Sequence, residues 1–188
     1  MKLGLVQPGS CFVDVGCNHP CTHSNTHYFE KNLGCSGLAF DGQDFSQQYL
    51  SIRPKTRFRR CLIDQQAASL DLNIVCDVEG LENQISSTSD CVIKHRGLNY
   101  VVESIPCYPL SFLCSSLSRI DLLCIDVEGH EISVLRSIDY SLLRPRVILV
   151  ENNGVHHPRC VIYNLMLANG YRQVARISDS DDVYVDQR

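Results

Sequence analysis

Two uninterrupted apolar runs, each ending in an acid, constrain the fold of this chain more than any other feature. Residues 121–126 have the sequence DLLCID, and residues 147–151 have the sequence VILVE. A strand with one face in solvent alternates apolar and polar residues, whereas a strand covered by helices on both faces is apolar throughout. The two runs therefore predict buried strands of a mostly parallel sheet.

Amphipathic stretches alternate with short apolar runs along the rest of the chain, a pattern typical of βα units around a parallel sheet. We predict further strands at residues 12–15, 37–41, 58–63, 172–177 and 182–186, and helices at residues 22–32, 44–51, 109–117, 130–138 and 158–169. The predicted fold class is α/β: a Rossmann-like, doubly wound, mostly parallel seven-stranded sheet. It has a C-terminal antiparallel hairpin and a small insertion after strand three.

The length of 188 residues predicts a single domain over residues 1–188. Residues 1–10 are a lead-in, and because so little precedes the first strand we expect either a shortened chain or a domain of a longer polypeptide. Residues 64–104 are predicted to be an irregular insertion over the site, with short strands at 73–76 and 100–102. The sequence has no apolar run of the roughly 20 residues that span a bilayer and no secretory signal, so we expect no membrane partner and a cytoplasmic protein. Most of the eleven cysteines are then expected to be thiols.

The net charge of −4 argues against broad, non-specific binding to nucleic acid. One basic cluster is the exception, formed by Arg53, Lys55, Arg57, Arg59 and Arg60. These side chains are either a solvated strand edge or a patch for an anionic ligand such as RNA.

Polar residues follow each of the five predicted parallel strands. Because ligands of open α/β sheets bind outside the carboxyl ends of the strands, these residues are expected to converge on one crevice. The residues at the five strand ends are Gly16, Asp41, Asp64, Asp126 and Glu151.

The chain resembles the FkbM-type methyltransferases over about residues 11–187. The segments that carry the resemblance are FVDVGCN at 12–18 with SNT at 24–26, IDLLCIDVEGHEISVL at 120–135, PRVILVENN at 145–153, and GY at 170–171 with DVYV at 182–185. The chain departs from the family at His19 and Pro20, where Asp and Gly are common, and at Asp41-Gly42, where Glu-Pro is common. Pro20 removes one backbone donor from the first loop.

This resemblance implies S-adenosylmethionine as the cofactor. The loop at Gly16 would hold its methionine part, Asp41 its ribose, and Ile63 with Asp64 its adenine, with Asp126 near the sulfonium. The full set of expected cofactor residues is Asp14, Gly16, Cys17, Asn18, Asn25, Asp41, Gly42, Ile63, Asp64 and Asp126.

Transfer of a methyl group to oxygen requires a group that takes the proton of the hydroxyl. The candidates for this catalytic role are Asp126, Glu128, His130 and Glu151. A divalent ion held by Asp126, Glu151 and Asn152 is a less favoured alternative.

Two groups of histidines allow further alternatives. The first comprises Cys17, His19, Cys21, His23 and His27, whose spacing does not match that of zinc fingers, so loop and helix residues are favoured over zinc ligands. The second comprises His156 and His157 with Cys160, which follow the strand at 147–151 and either line an acceptor pocket or form a surface loop.

The leading hypothesis is an O-methyltransferase whose acceptor is a hydroxyl of a small molecule, a sugar or a nucleotide. One alternative is an RNA cap or ribose 2′-O-methyltransferase domain of a larger polyprotein, viral or otherwise. The other is a non-catalytic, methyltransferase-like interaction module, which the His19-Pro20 departure favours.

Overall fold

The computed structural model describes residues 4–66, 68–75, 86–88 and 99–188. Its elements follow the chain in the order β1 (Cys11–Val15), α1 (His27–Leu33), β2 (Ser36–Asp41), α2 (Ser46–Ile52), β3 (Thr56–Arg60), β4 (Leu62–Ile63), β5 (Ala68–Val75), β6 (Ser86–Ser87), β7 (Tyr100–Tyr108), α3 (Leu110–Leu113), β8 (Leu122–Ile125), α4 (Glu131–Arg136), β9 (Val147–Glu151), α5 (Arg159–Ala168), β10 (Tyr171–Ile177) and β11 (Asp181–Asp186).

Seven strands form the main sheet, in the order β10-β11-β9-β8-β1-β2-β3. Pairs β9–β8, β8–β1, β1–β2 and β2–β3 are parallel, while β11 pairs antiparallel with β9 and with β10. The predicted mostly parallel sheet with a C-terminal antiparallel hairpin is thus confirmed. Strand order reverses at β1, which lies between β2 and β8, and a crevice at such a point is where ligands of this architecture bind.

Both faces of the central strands are buried, as the apolar runs predicted. Side chains alternate between two core clusters, so that Leu123 and Ile125 pack with α4 and α5, while Leu122 and Cys124 pack with Phe29 of α1. The nine cysteines in the described ranges are all free thiols.

A second sheet replaces part of the expected irregular insertion. Its strand order is β4-β7-β5-β6, and β5 pairs with β7 over eight residues, from Ala68 opposite Cys107 to Val75 opposite Tyr100. The strands expected at 73–76 and 100–102 overlap β5 and β7, but both strands are longer than expected. Their pairing was not predicted, because the paired residues lie 25 to 39 positions apart and no local pattern reveals it. The loop expected around residues 82–90 lies mostly outside the described residues.

The predicted strand at 58–63 is two strands in two sheets. Strand β3 ends at Arg60, and Cys61 donates its backbone N–H to the carbonyl oxygen of Asp41 at 2.9 Å. The chain then crosses into β4, which pairs with Cys107 and Tyr108 of β7. This crossing links the two sheets beside the carboxyl end of β2.

Helix boundaries also differ from the prediction after β1. Helix α1 begins at His27 rather than near residue 22, because His23, in the first turn of the predicted helix, has a left-handed φ of 57° that a right-handed helix does not accommodate. None of the helices in the described ranges is both long and apolar enough to cross a membrane.

Candidate functional site

A cavity of about 300 Å³ opens at the carboxyl ends of β1, β2 and β8, at the strand-order reversal. Ten of the predicted site residues line it: Gly16, Cys17, Asn18, Asn25, Asp41, Gly42, Ile63, Asp126, Glu128 and His130. Asp14, Asp64 and Glu151 are outside the lining. The convergence expected from the strand ends is therefore observed for the loops after β1, β2 and β8.

Gly16 allows β1 and β8 to approach closely at the base of the cavity. Its φ is +75°, and a Cβ at this position would overlap the carbonyl oxygen of Asp126 and lie 2.7 Å from the carbonyl carbon. Asp126 in turn donates its N–H to the carbonyl oxygen of Val15 at 3.0 Å. Any side chain here would separate the loops after β1 and β8, both of which line the cavity.

Asp41 organises the loop after β1. Its Oδ2 accepts a hydrogen bond from the backbone N–H of Asn18 at 2.9 Å, and its Oδ1 accepts one from the N–H of Gln43 at 2.9 Å. Burial raises the pKa of this carboxyl, and the backbone donors oppose that rise. A carboxylate has about four lone-pair directions, so Asp41 retains acceptor capacity toward the cavity.

The turn after β8 is held together by Glu131, which is 1% exposed. Its Oε1 accepts hydrogen bonds from the N–H groups of Val127 at 3.2 Å and Gly129 at 2.9 Å. Its Oε2 lies 3.3 Å from Nε2 of His157. Gly129, with φ +104°, has no room for a side chain, because a Cβ would lie 2.7 Å from Cγ of His156. The second histidine group therefore packs against this turn and supports it.

Carboxyl groups dominate the electrostatics beyond β8 and β9. Burial and the nearby Glu151 and Glu128 raise the pKa of Asp126 well above its usual value. Burial, with Glu128 and Glu131 near it, raises the pKa of Glu151 to about 7. Oδ1 of Asn152 is buried and has no hydrogen-bond partner among the described residues, and the same is true of Oε2 of Glu151.

His130, at the start of α4, connects the main sheet's side of the site to residues of the second sheet. Its Nε2 lies 2.8 Å from Oδ2 of Asp64, and its Nδ1 lies 3.4 Å from Oγ1 of Thr88. Oγ of Ser87 donates to the carbonyl oxygen of Glu128 at 3.0 Å. The second sheet thus contacts the turn after β8 at two neighbouring residues.

Asp14 is buried beneath the cavity, which differs from its expected direct contact with the cofactor. Its Oδ2 accepts a hydrogen bond from the hydroxyl of Thr26 at 2.6 Å, and that hydroxyl accepts one from Nη2 of Arg53 at 3.1 Å. Burial raises the pKa of Asp14 to about 6, although the Thr26 hydrogen bond and Arg53 lower it. Asp14 supports the first loop from below.

The basic cluster is not one surface patch, because Arg53 is only 1% exposed. Its Nε is 2.7 Å from Oε2 of Glu30, and its Nη1 donates to the carbonyl oxygen of Pro20 at 3.0 Å. Arg60 pairs with Glu103, and only Lys55, Arg57 and Arg59 have exposed side chains. Arg53 was therefore wrongly included in the patch; its partner Glu30 is 23 residues away, beyond any local pattern.

No group of three or more His, Cys, Asp or Glu side chains in the described ranges is arranged to hold a metal ion. Residues of the first Cys/His group instead contact one another or the backbone: Nδ1 of His19 accepts from the N–H of Thr22 at 3.1 Å, and Sγ of Cys21 lies 3.6 Å from Nε2 of His27.

Sequence reasoning missed several residues that line the cavity. Gln43 follows Asp41 by two residues and was within reach of the strand-end argument, whereas Leu72 and Thr88 come from the second sheet and gave no local indication. His23 also lines the cavity, whereas the sequence favours a loop or helix residue over a zinc ligand at this position. Glu131 was visible in the family block, but only the structure shows that its carboxylate forms the turn.

Comparison with known proteins gives a family and a fold. A family model described as the methyltransferase FkbM domain matches residues 14–173. A crystal structure of methyltransferase FkbM from Methylobacillus flagellatus KT aligns over 98% of this chain with a TM-score of 0.57 and 11% sequence identity. The present chain spans 46% of the length of that protein. No curated protein matches by sequence.

Proposed function

The chain belongs to the FkbM methyltransferase family, and from this premise we propose that it transfers a methyl group from S-adenosylmethionine to a hydroxyl of a small molecule, a sugar or a nucleotide. The observation that carries the proposal is the cavity itself. It brings together a close-packed glycine loop, a carboxylate at the end of β2, and acids with a histidine after β8.

The residues of the cavity fit this cofactor chemically. The absence of a side chain at Gly16 lets the loops after β1 and β8 lie together at the base of the cavity. Asp41 lines the same cavity and offers acceptor oxygens that suit the hydroxyls of a ribose. Ile63 and Leu72 provide apolar surface on the second-sheet side, suited to a planar base. When bound, the cofactor would supply an electrophilic methyl group.

The chain's own contribution is to orient the two reactants and to accept a proton. Methyl transfer is an in-line displacement, so holding the hydroxyl in line with the methyl group supplies much of the rate. Asp126, Glu128 and His130 line the cavity and are the candidates for the proton acceptor. Glu151 is outside the lining, and its effect on this site is to raise the pKa of Asp126.

Calorimetric titration with S-adenosylmethionine tests the proposal. We expect the wild type to bind, and Asp41→Asn to weaken binding by about tenfold or more, because the loss of one charged hydrogen bond costs about 1.5–3 kcal/mol. Asp139→Asn is the matched control, since Asp139 is exposed and is not among the residues that line the cavity.

Absence of binding by the wild type at high micromolar cofactor would contradict the enzyme proposal. That outcome would favour the non-catalytic interaction module, for which the His19-Pro20 departure is the main support. Equal loss of affinity in Asp41→Asn and Asp139→Asn would place the cofactor elsewhere.

An RNA acceptor is the second candidate, supported by the exposed cations Lys55, Arg57 and Arg59 on and before β3. If RNA binds there, affinity should fall steeply with salt concentration, and Arg57→Ala should reduce the slope of that dependence by about one unit. Unchanged RNA affinity in an Arg57→Ala, Arg59→Ala double variant would exclude this surface.

A further inference from the structure

We propose that Asp64 is the positioning residue for His130: it fixes the imidazole proton on Nε2, so that the bare Nδ1 faces the cavity and takes the proton of the acceptor hydroxyl. This inference rests on the proposed methyl transfer, and it assigns to Asp64 a different role from the adenine contact that the family resemblance implies.

The tautomer follows from the hydrogen-bond partner. Nε2 of His130 lies 2.8 Å from Oδ2 of Asp64, and both side chains are 22% exposed. A carboxylate oxygen accepts hydrogen bonds and cannot donate one, so Nε2 must carry the hydrogen. In the neutral imidazole the other nitrogen, Nδ1, then has a free lone pair.

Nδ1 already lies near a hydroxyl group of the protein. Oγ1 of Thr88 lies 3.4 Å from Nδ1, and both Thr88 and His130 line the cavity. The Thr88 hydroxyl donates to Nδ1 in this arrangement. An acceptor hydroxyl that enters the cavity would take the place of this long contact.

Asp64 is itself held in place for this task. Its backbone N–H donates to the carbonyl oxygen of Tyr108 at 3.2 Å, which extends the β4–β7 pairing, and its Oδ1 accepts from the N–H of Gln66 at 3.3 Å. Each carboxylate oxygen therefore has a protein partner. Asp64 also lies outside the cavity lining, whereas its neighbour Ile63 is part of it.

The backbone of His130 is equally fixed. The buried carboxylate of Glu131 closes the turn that precedes it, and Ser87 binds the carbonyl oxygen of Glu128 at 3.0 Å. A ring held at its backbone and at Nε2 is preorganised for proton transfer at the remaining nitrogen.

The step balances without a further reactant. The methyl–sulfur bond breaks with its electron pair left on sulfur, the hydroxyl oxygen bonds to the methyl carbon, and the hydroxyl proton moves to Nδ1. His130 then carries protons on both nitrogens, next to the Asp64 carboxylate, and releases one to solvent after the product leaves.

The first test reads the tautomer and does not depend on activity. In ¹⁵N-histidine-labelled protein, long-range ¹H–¹⁵N spectra distinguish the two neutral tautomers, and His130→Gln identifies the signals of this residue. We expect the Nε2–H form in the wild type and a shift toward the Nδ1–H form in Asp64→Asn, because the amide can donate to Nε2. The Nδ1–H form in the wild type, or an unchanged spectrum in Asp64→Asn, would overturn the proposal.

The second test separates positioning from cofactor binding. Calorimetry with S-adenosylmethionine should give the same Kd for the wild type and Asp64→Asn within about twofold. Transfer of labelled methyl to methyl α-D-glucopyranoside, adenosine or catechol, whichever the wild type accepts, should fall about 10²- to 10⁴-fold in kcat. If Asp64 instead contacted adenine, Kd would rise and kcat at saturating cofactor would be unchanged, which would overturn the proposal.

Asp71→Asn is the matched control, because Asp71 lies exposed on β5 of the same sheet and undergoes the same chemical change. It should leave the tautomer, Kd and kcat unchanged. A wild type that binds no cofactor would refute the proposed function alone, since the spectra of His130 would still decide whether Asp64 sets the tautomer.

Discussion

Substitution of Gly16 by alanine tests whether the contact between the loops after β1 and β8 creates the cavity. Alanine at φ +75° costs about 1–2 kcal/mol from the left-handed backbone alone. The new Cβ would also displace the carbonyl group of Asp126 and weaken the buried hydrogen bond from Asp126 N–H to Val15, a loss of about 1–3 kcal/mol.

Gly9→Ala provides the matched control. Gly9 has the same φ of +75°, but a Cβ there would have no atom of the described part of the chain within 4 Å. Gly9→Ala is therefore destabilised only by the left-handed backbone conformation of alanine. In urea denaturation, Gly16→Ala should lose about 1–3 kcal/mol more free energy of unfolding than Gly9→Ala.

The same two variants, Gly16→Ala and Gly9→Ala, can also be compared by their affinity for S-adenosylmethionine. We expect Gly9→Ala to bind like the wild type and Gly16→Ala to bind at least about tenfold more weakly, since a 1.4 kcal/mol loss corresponds to a factor of ten. Equal stability and equal affinity of the two variants would refute the argument that the close approach at Gly16 shapes the site.

Two further predictions concern buried charges. The folded protein retains a proton on Glu151 between about pH 4.5, its ordinary pKa, and about pH 7, its raised pKa, so the free energy of unfolding falls as pH rises through that window. Glu151→Gln should therefore reduce the fall in Tm between about pH 5 and about pH 8, and an unchanged fall would contradict the assignment. Arg53→Met leaves Glu30 buried without its partner and should cost about 3–5 kcal/mol in urea denaturation. A double variant with Glu30→Gln should recover part of that loss, and no recovery would show that packing, not charge, holds the pair.

Local sequence patterns predicted the main sheet well because a strand buried on both faces is a continuous apolar run. Strands β8 and β9 have no polar residue inside the apolar runs, and their predicted bounds agree with the structure to within a residue. Of the acids that end those two runs, Asp126 lines the cavity and Glu151 does not, although parallel strands bring their carboxyl ends to one edge.

Interactions between distant segments could not be predicted in the same way. Arg53 is charged and looked exposed, but its partner Glu30 and the hydroxyl of Thr26 bury it. Asp64 follows an apolar run and looked like another strand-end residue, yet its carboxylate binds His130, 66 residues later in the chain. In each case the partner is distant in sequence, so a local residue pattern does not identify it.

The most direct test of the central claim is a crystal structure with S-adenosylhomocysteine, the demethylated cofactor. We predict that its ribose hydroxyls contact Asp41, that its amino acid part lies along the Gly16–Asn18 loop, and that its sulfur points toward Asp126 and His130. A ligand bound away from this cavity, or a cavity that stays empty at saturating ligand, would contradict the proposed methyltransferase site.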